Sequence, residues 1–184
     1  MAELGEGTAR GGDGCVACML LRLDAADEVE YLVAPAGGGG WAEWAAALRR
    51  LLRRIGHEPA RAVIISQDPC TGRYVQMQIG HGMAYTEASS NAYLMDDSQL
   101  SDEEEELLAK IGWRAPADEV DVPDEYPANW TLPLVYGDWE KLIEVILATV
   151  VGVFGFDERV PVKVHTFQLD RACKDCFLPA EEAA

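Results

Sequence analysis

Residues 73–90 read RYVQMQIGHGMAYTEASS, two runs of alternating polarity joined by Gly80-His81-Gly82. The first run alternates Val75, Met77 and Ile79 with polar side chains, which is typical of a strand with one face buried. The two glycines permit the positive φ angles of a tight hairpin. This stretch therefore predicts an antiparallel hairpin and, with it, an antiparallel sheet.

The length of the hairpin loop decides which side chains share a face, because a shift of one residue moves a whole strand's side chains to the opposite face. A three-residue loop gathers the larger apolar side chains: Val75, Met77, Ile79, Met83 and Tyr85. A two-residue loop instead gathers a more polar set: Tyr74, Gln76, Gln78, Tyr85 and Glu87. We expect three residues, since that loop places the larger apolar groups together.

Two long helices are predicted, one on each side of the hairpin in the sequence. The first spans about residues 41–55, where tryptophan, leucine and isoleucine recur at three- and four-residue spacing. A flexible connector at residues 37–40 precedes it, and Gly56 is expected to end it. The other spans about residues 138–154 and is apolar nearly all round, so it either lies centrally or uses one side as an interface.

A short helix and several strands complete the expected fold. Ser101 and Glu104 form a capping box, and Gly112 follows the apolar stripe of the short helix. The remaining strands are expected at residues 16–23, 28–33, 62–65, 83–89 and 160–167. Consecutive strands joined by tight turns predict an α+β fold, an antiparallel sheet with helices packed on one face.

The chain is strongly acidic, with 32 acidic and 15 basic residues and a formal net charge of −17. Such a field repels phosphate backbones and anionic lipid, which argues against nucleic-acid and membrane-surface functions and favours partners with basic patches. Residues 1–14 lack the apolar core of a signal peptide, and we expect a cytoplasmic protein. We further expect a disordered tail at residues 1–14, one domain at residues 15–170 and a C-terminal tail at residues 171–184.

Candidate chemistry centres on two Cys-x-x-Cys pairs, Cys15 with Cys18 and Cys173 with Cys176. Four thiolates suit tetrahedral zinc, but the pairs lie far apart in sequence, so the chain ends would have to meet. The alternatives are ordinary free thiols or a redox pair. The three histidines form no spaced set with a nucleophile motif, so the protein is expected to be no enzyme and to need no cofactor.

Four segments occur in an order found in one known family: residues 73–78 (RYVQMQ), 87–94 (EASSNAYL), 107–113 (LLAKIGW) with Pro116, and Asn129-Trp130. Over about residues 41–156 the chain resembles the TY-Chap family, bacterial domains related to type III secretion chaperones and the YbjN proteins. Ile111 stands where the family usually has leucine. The resemblance implies a type III secretion chaperone-like α+β fold, often dimeric, that binds peptides and has no catalytic residues.

The leading hypothesis is therefore a peptide-binding chaperone or adaptor that holds a client at a sheet edge or in an apolar groove. Six candidate contacts follow from it: Tyr74, Gln76, Gln78, Tyr85, Trp113 and Trp130. The alternative is a structural or regulatory homodimer without a client, packed through the helix at residues 138–154. A zinc or redox protein using the two cysteine pairs is the third hypothesis.

Overall fold

The computed structural model describes residues 29–56, 61–68, 70–116, 129–133 and 135–168. The helices are α1 (Gly40–Ile55), α2 (Asp102–Ile111) and α3 (Trp139–Leu147). The strands are β1 (Val29–Val33), β2 (Arg61–Ser66), β3 (Tyr74–Gly80), β4 (Met83–Ala88), β5 (Trp130–Thr131), β6 (Val135–Tyr136) and β7 (Val162–Gln168). The expected strand at residues 16–23 lies outside the described residues.

The described strands form one antiparallel sheet in the order β1-β7-β2-β3-β4-β5, with β6 also paired to β4. The core lies between the helices and one face of this sheet, where β2, β3 and β7 bury Val63, Ile65, Val75, Met77, Val162 and Val164. Against them α1 buries Trp44, Leu48, Leu52 and Ile55, and α3 buries Leu142, Ile143 and Ile146. The expected α+β fold is confirmed.

The hairpin between β3 and β4 has a two-residue loop, because Gly80 pairs with Met83. His81 and Gly82 have φ angles of 51° and 77°, the positive values at both central residues that match a hairpin's twist. The expectation of a three-residue loop was wrong. The inward positions of β4 are the small, fully buried Ala84, Thr86 and Ala88, so available space beneath the helices, and not apolar size, selects that face.

Gly56 follows α1, and its importance comes from close packing, not from a positive φ. The helix ends before Gly56, as the sequence predicts, but the φ of Gly56 is −63° and not left-handed. A Cβ placed there would lie 2.7 Å from Cζ2 of Trp139 and 2.8 Å from the Leu52 carbonyl oxygen. Gly56 therefore lets the first turn of α3 approach the end of α1. The preceding segment also differs from the expected connector, since Pro35–Gly38 is a 3-10 turn and α1 begins at Gly40.

We expect Gly56→Ala to lower the free energy of unfolding by about 1–3 kcal/mol, because the added methyl group overpacks this contact. Urea denaturation followed by circular dichroism measures the change. Gly152→Ala is the matched control, since a Cβ there meets nothing within 4 Å and the change should leave stability within about 1 kcal/mol of wild type. Equal stabilities of the two variants would contradict the packing role.

The α2 and α3 ends are capped as the sequence predicts, with one departure. Ser101 and Glu104 form the capping box, and Gly112 ends α2 with a φ of 117°. Asp138 accepts a hydrogen bond from the Lys141 amide at 3.2 Å. The departure is that α3 ends at Leu147 and continues as a π-helical segment, Ala148–Val153. The helix is not buried all round, since Val151 and Gly152 in this segment are exposed.

Arg73 joins three separate parts of the helix layer. Its guanidinium forms a forked ion pair with Glu104, with Nη1 2.8 Å from Oε1 and Nη2 3.3 Å from Oε2. It also donates to the carbonyl oxygens of Ser98, Gln99 and Val153 at 3.1–3.2 Å. Burial raises the pKa of Glu104, but the hydrogen bonds from Arg73 and Ser101 outweigh it, so the net pKa lies below the ordinary value.

Candidate functional site on the open face of the sheet

The outer face of the sheet, opposite the helices, carries a shallow groove at its centre. Gln78 pairs with Tyr85 and Gln76 with Glu87 across β3 and β4, and β2 and β7 continue the same rows on the other side. The groove has a volume of about 80 Å³ and is lined by Ala62, Ile64, Gln76, Met77, Gln78, Tyr85, Glu87 and Phe167. Within the described part of the chain, no helix covers this face.

The groove has an apolar floor and a polar rim. Ala62 and Phe167 are buried and Ile64 is half-buried, although all three lie on the face away from the helices. Gln78 and Tyr85 are exposed beside them. An apolar floor with amide and phenol groups at its rim suits a polypeptide, which offers both side-chain carbon and backbone hydrogen-bonding groups.

One end of the groove holds a small hydrogen-bonded cluster centred on Glu87. Gln76 donates from Nε2 to Glu87 Oε2, and the Tyr85 hydroxyl donates to Glu87 Oε1 at 3.2 Å. The carboxylate is half-buried. Among the described residues, no Lys, Arg or His forms an ion pair with it. The described donors to the Glu87 carboxylate are thus neutral, and they orient it without neutralising its negative charge.

Tyr74 lies on the same face and is held by the loop that precedes β5. Asn129 donates from Nδ2 to the Tyr74 hydroxyl at 3.2 Å, and its Oδ1 accepts from the Ser90 amide. Burial raises the pKa of Tyr74, the Asn129 hydrogen bond opposes this, and the charge of Glu87 adds to the rise. Burial and the Glu87 charge likewise raise the pKa of Tyr85. Both phenols are therefore neutral at physiological pH.

Exposed apolar side chains extend this face beyond the groove. Met83 pairs with Tyr136 across β4 and β6, and Tyr85 is two residues along β4 on the same side. Their exposed fractions are 36% for Met83, 39% for Tyr85 and 69% for Tyr136. A methionine and two tyrosines exposed together offer an adaptable apolar surface to a partner.

The structure separates the six sequence-predicted contacts into two groups. Tyr74, Gln76, Gln78 and Tyr85 share the outer face, whereas Trp113 and Trp130 are only 3% and 4% exposed and lie in the core. Trp113 donates from Nε1 to Thr149 Oγ1 at 2.8 Å. In this structure the two tryptophans contribute to packing.

The sequence analysis missed the groove floor and the role of Glu87. Ala62 and Ile64 come from β2 and Phe167 from β7, and only the strand pairing brings them beside β3. No local pattern identifies them. The sequence did contain a signal for Glu87, because it is a carboxylate among the apolar and small residues of a strand. The two-residue loop would have placed it beside Gln76.

The other sequence-predicted chemistry lies largely beyond the described part of the chain. Cys15, Cys18, Cys173 and Cys176, together with His57, are outside the described residues. Cys70 is an exposed free thiol. Within the described ranges, no three His, Cys, Asp or Glu side chains are grouped so as to hold a metal ion. Likewise, no described helix has the length and apolar character needed to cross a membrane.

Several residues of the family-like segments serve the architecture beside the groove. Ser89 accepts from the Tyr74 amide through Oγ at 3.1 Å. Asn91 accepts from the Leu100 amide at 2.6 Å and donates to the Leu100 carbonyl oxygen at 3.0 Å. The Ser89 contact fixes the end of β4 against the start of β3, beside Tyr74. The Asn91 contacts close the segment between β4 and α2 onto Leu100.

These features define an α+β protein whose sheet has helices on one face and an apolar, acid-rimmed groove on the other. Residues 34–166 match the family model described as T3SS (YopN, CesT) and YbjN peptide-binding chaperone 3. The chain belongs to this family, TY-Chap3, as its ordered sequence segments indicated. No curated protein and no solved structure gives a significant match.

Proposed function

We propose that the protein is a non-catalytic chaperone or adaptor that binds an extended segment of a partner polypeptide along the open face of its sheet. The observation that carries the proposal is the groove itself, in which the two-residue turn aligns Gln76, Gln78, Tyr85 and Glu87 over an apolar floor. Membership of a peptide-binding chaperone family supports a polypeptide as the occupant.

The groove is a better candidate than the edge beside β4. The β5 strand pairs with Glu87 and Ala88, and β6 pairs with Met83 and Ala84, so most of that edge already has a partner. The face next to it has no described helix over it and exposes Met83, Tyr85 and Tyr136. A client lying across the face would bury these side chains and hydrogen-bond to the amides of Gln76 and Gln78.

The face is also a better candidate than the homodimer contact through α3. Trp139, Leu142, Ile143 and Ile146, which that contact would need, are buried in the protein's own core. The exposed side of the same helix and its π-helical continuation includes Lys141, Glu144, Ala148, Val151 and Gly152. This surface is mixed in polarity, whereas obligate dimer interfaces are predominantly apolar.

Because the client is unidentified, the test starts from a random twelve-residue peptide library displayed on phage and selected against the full chain. Selected peptides, synthesised with fluorescein, are then titrated by fluorescence anisotropy. We expect Tyr85→Ala to weaken their affinity by about tenfold or more, since tyrosines in the centre of an interface contribute disproportionately.

Leu107→Ala on α2 is the matched control, because Leu107 is about as exposed as Tyr85 but lies in the helix layer. It should change peptide affinity less than about twofold, in the range of a contact outside an interface. The proposal fails if no library peptide binds more tightly than about 1 mM, or if the two variants bind alike.

A further inference from the structure

The Glu87 cluster differs from the rest of the groove because its charge has no described counter-ion. The carboxylate accepts from one amide and one phenol. Neutral donors orient a carboxylate without cancelling its charge, so a cation placed against it forms a charge-assisted hydrogen bond. By contrast, Glu30 on β1, a described glutamate of the same outer face, is already paired with Lys163, with Oε2 2.6 Å from Nζ.

Two phenol rings lie beside this carboxylate. Tyr85 contacts it directly through its hydroxyl. Tyr74 lies on the same face of β3, two residues from Gln76, the residue that pairs with Glu87. Neutral aromatic rings attract ammonium and guanidinium groups through their π faces. An anion next to two such rings therefore favours a lysine or arginine side chain and disfavours an aspartate or glutamate.

The surroundings restrict the client further. Gln76 lies between Glu87 and Ile64 in one row across β4, β3 and β2, so Ile64 is two strand spacings, about 9.6 Å, from Glu87. Ala62 and Phe167 belong to the adjacent row. Side chains on one face of an extended peptide repeat every two residues, about 6.7 Å apart. Arginine and lysine side chains are long, so a peptide residue above the groove can reach Glu87 while an apolar side chain two residues away lies over the groove floor. The net charge of −17 adds a general attraction for basic segments.

We propose that Glu87 determines the specificity of the groove by selecting a client segment in which an arginine or lysine stands two residues from an apolar residue. The inference rests on the proposed peptide binding and goes beyond it in naming the client's chemistry. The subsite formed by Glu87, Tyr74 and Tyr85 recognises the basic side chain. The apolar floor of the groove binds the client's apolar side chain two residues away.

The experiment compares phage selections against wild type, Glu87→Gln and Glu103→Gln. Glu103 is exposed in the first turn of α2, so its change removes the same charge away from the groove. Wild type and Glu103→Gln are expected to select peptides enriched in arginine or lysine at least twofold over the library. Glu87→Gln should still select peptides with apolar residues but lose the basic enrichment.

Affinity measurements on synthetic peptides then isolate the subsite. Replacing the basic residue of a wild-type peptide by glutamine should weaken its binding to wild type about tenfold and to Glu87→Gln less than twofold. Glu87→Lys, with the sign reversed, should bind a glutamate-substituted peptide better than the basic original. Thermal denaturation of each variant establishes that these differences arise in folded protein.

The outcomes distinguish the two proposals. If wild type selects peptides without basic enrichment, or Glu87→Gln keeps the tenfold discrimination, the specificity of Glu87 is wrong while peptide binding stands, provided that Tyr85→Ala still weakens it. If no peptide binds to wild type, both proposals are overturned.

Discussion

Arg73→Met is expected to lower the free energy of unfolding by about 3 kcal/mol, which chemical denaturation measures directly. The substitution leaves the Glu104 carboxylate without its forked partner. It also removes the donor to the carbonyl oxygens of Ser98, Gln99 and Val153. A half-buried carboxylate and three carbonyls lose hydrogen bonds at once, because one side chain serves all four.

Arg50→Met on α1 is the control for this change. It removes the same charge from an exposed position and should alter stability by no more than about 0.5 kcal/mol. Arg73→Lys should recover only part of the loss, because a single ammonium group cannot reproduce the planar fork. Equal effects of Arg73→Met and Arg50→Met would show that the network contributes nothing specific.

The destabilisation should also depend on pH. The pKa of Glu104 is lowered in the folded state, so the stability this pair contributes is fully present above the unfolded pKa, about 4.3. It is lost as the pH falls through the lower folded pKa. The difference in unfolding free energy between wild type and Arg73→Met is therefore expected to shrink below about pH 4.

Trp113→Ala is expected to lower the free energy of unfolding by about 4 kcal/mol, since a buried indole leaves a large cavity. Trp113→Phe keeps most of the packing and loses the hydrogen bond to Thr149, so it should cost about 1–2 kcal/mol. Urea or thermal denaturation measures the loss of stability in both variants. These losses would place Trp113 among the residues that hold α2 to the π-helical segment.

The same substitution tests the sequence-based assignment of Trp113 as a peptide contact. If its role is packing, Trp113→Phe should leave the affinity for selected peptides within about twofold of wild type, in the range of a residue outside the interface. A large loss of peptide affinity in a variant with undiminished stability would return Trp113 to the binding site. Tyr85→Ala is expected to show the opposite pattern. It should weaken peptide binding and change stability little, because Tyr85 is exposed.

Local features of the fold could be predicted because neighbouring residues determine them. The capping box of Ser101 and Glu104 and the Asp138 cap follow from unsatisfied amides at a helix start. The burial of Val75, Met77 and Ile79 follows from strand alternation. The π-helical continuation of α3 could not be predicted this way; it coincides with the contacts of Thr149 with Trp113 and of Val153 with Arg73.

The candidate site was only half predictable. Tyr74, Gln76 and Gln78 were identified as outward-facing because they alternate with apolar residues on one strand. The floor could not be identified, because Phe167 reaches Ala62 only through pairing between strands about 100 residues apart. Trp113 and Trp130 were named with the tyrosines as candidate contacts, and the structure buries them in the core, since an aromatic residue in sequence carries no sign of which layer it enters.

By itself the sequence determined the strand and helix pattern, the acidic field and the family to which the chain belongs, all of which depend on residue type and near neighbours. Tertiary structure decided which side of the sheet Tyr85 and Glu87 occupy and on which side the described helices pack. Strand side chains alternate with a period of two, so a one-residue difference in the turn exchanges the faces. The described helices cover only one face, and this exchange therefore decides between a core residue and a residue of the proposed binding surface.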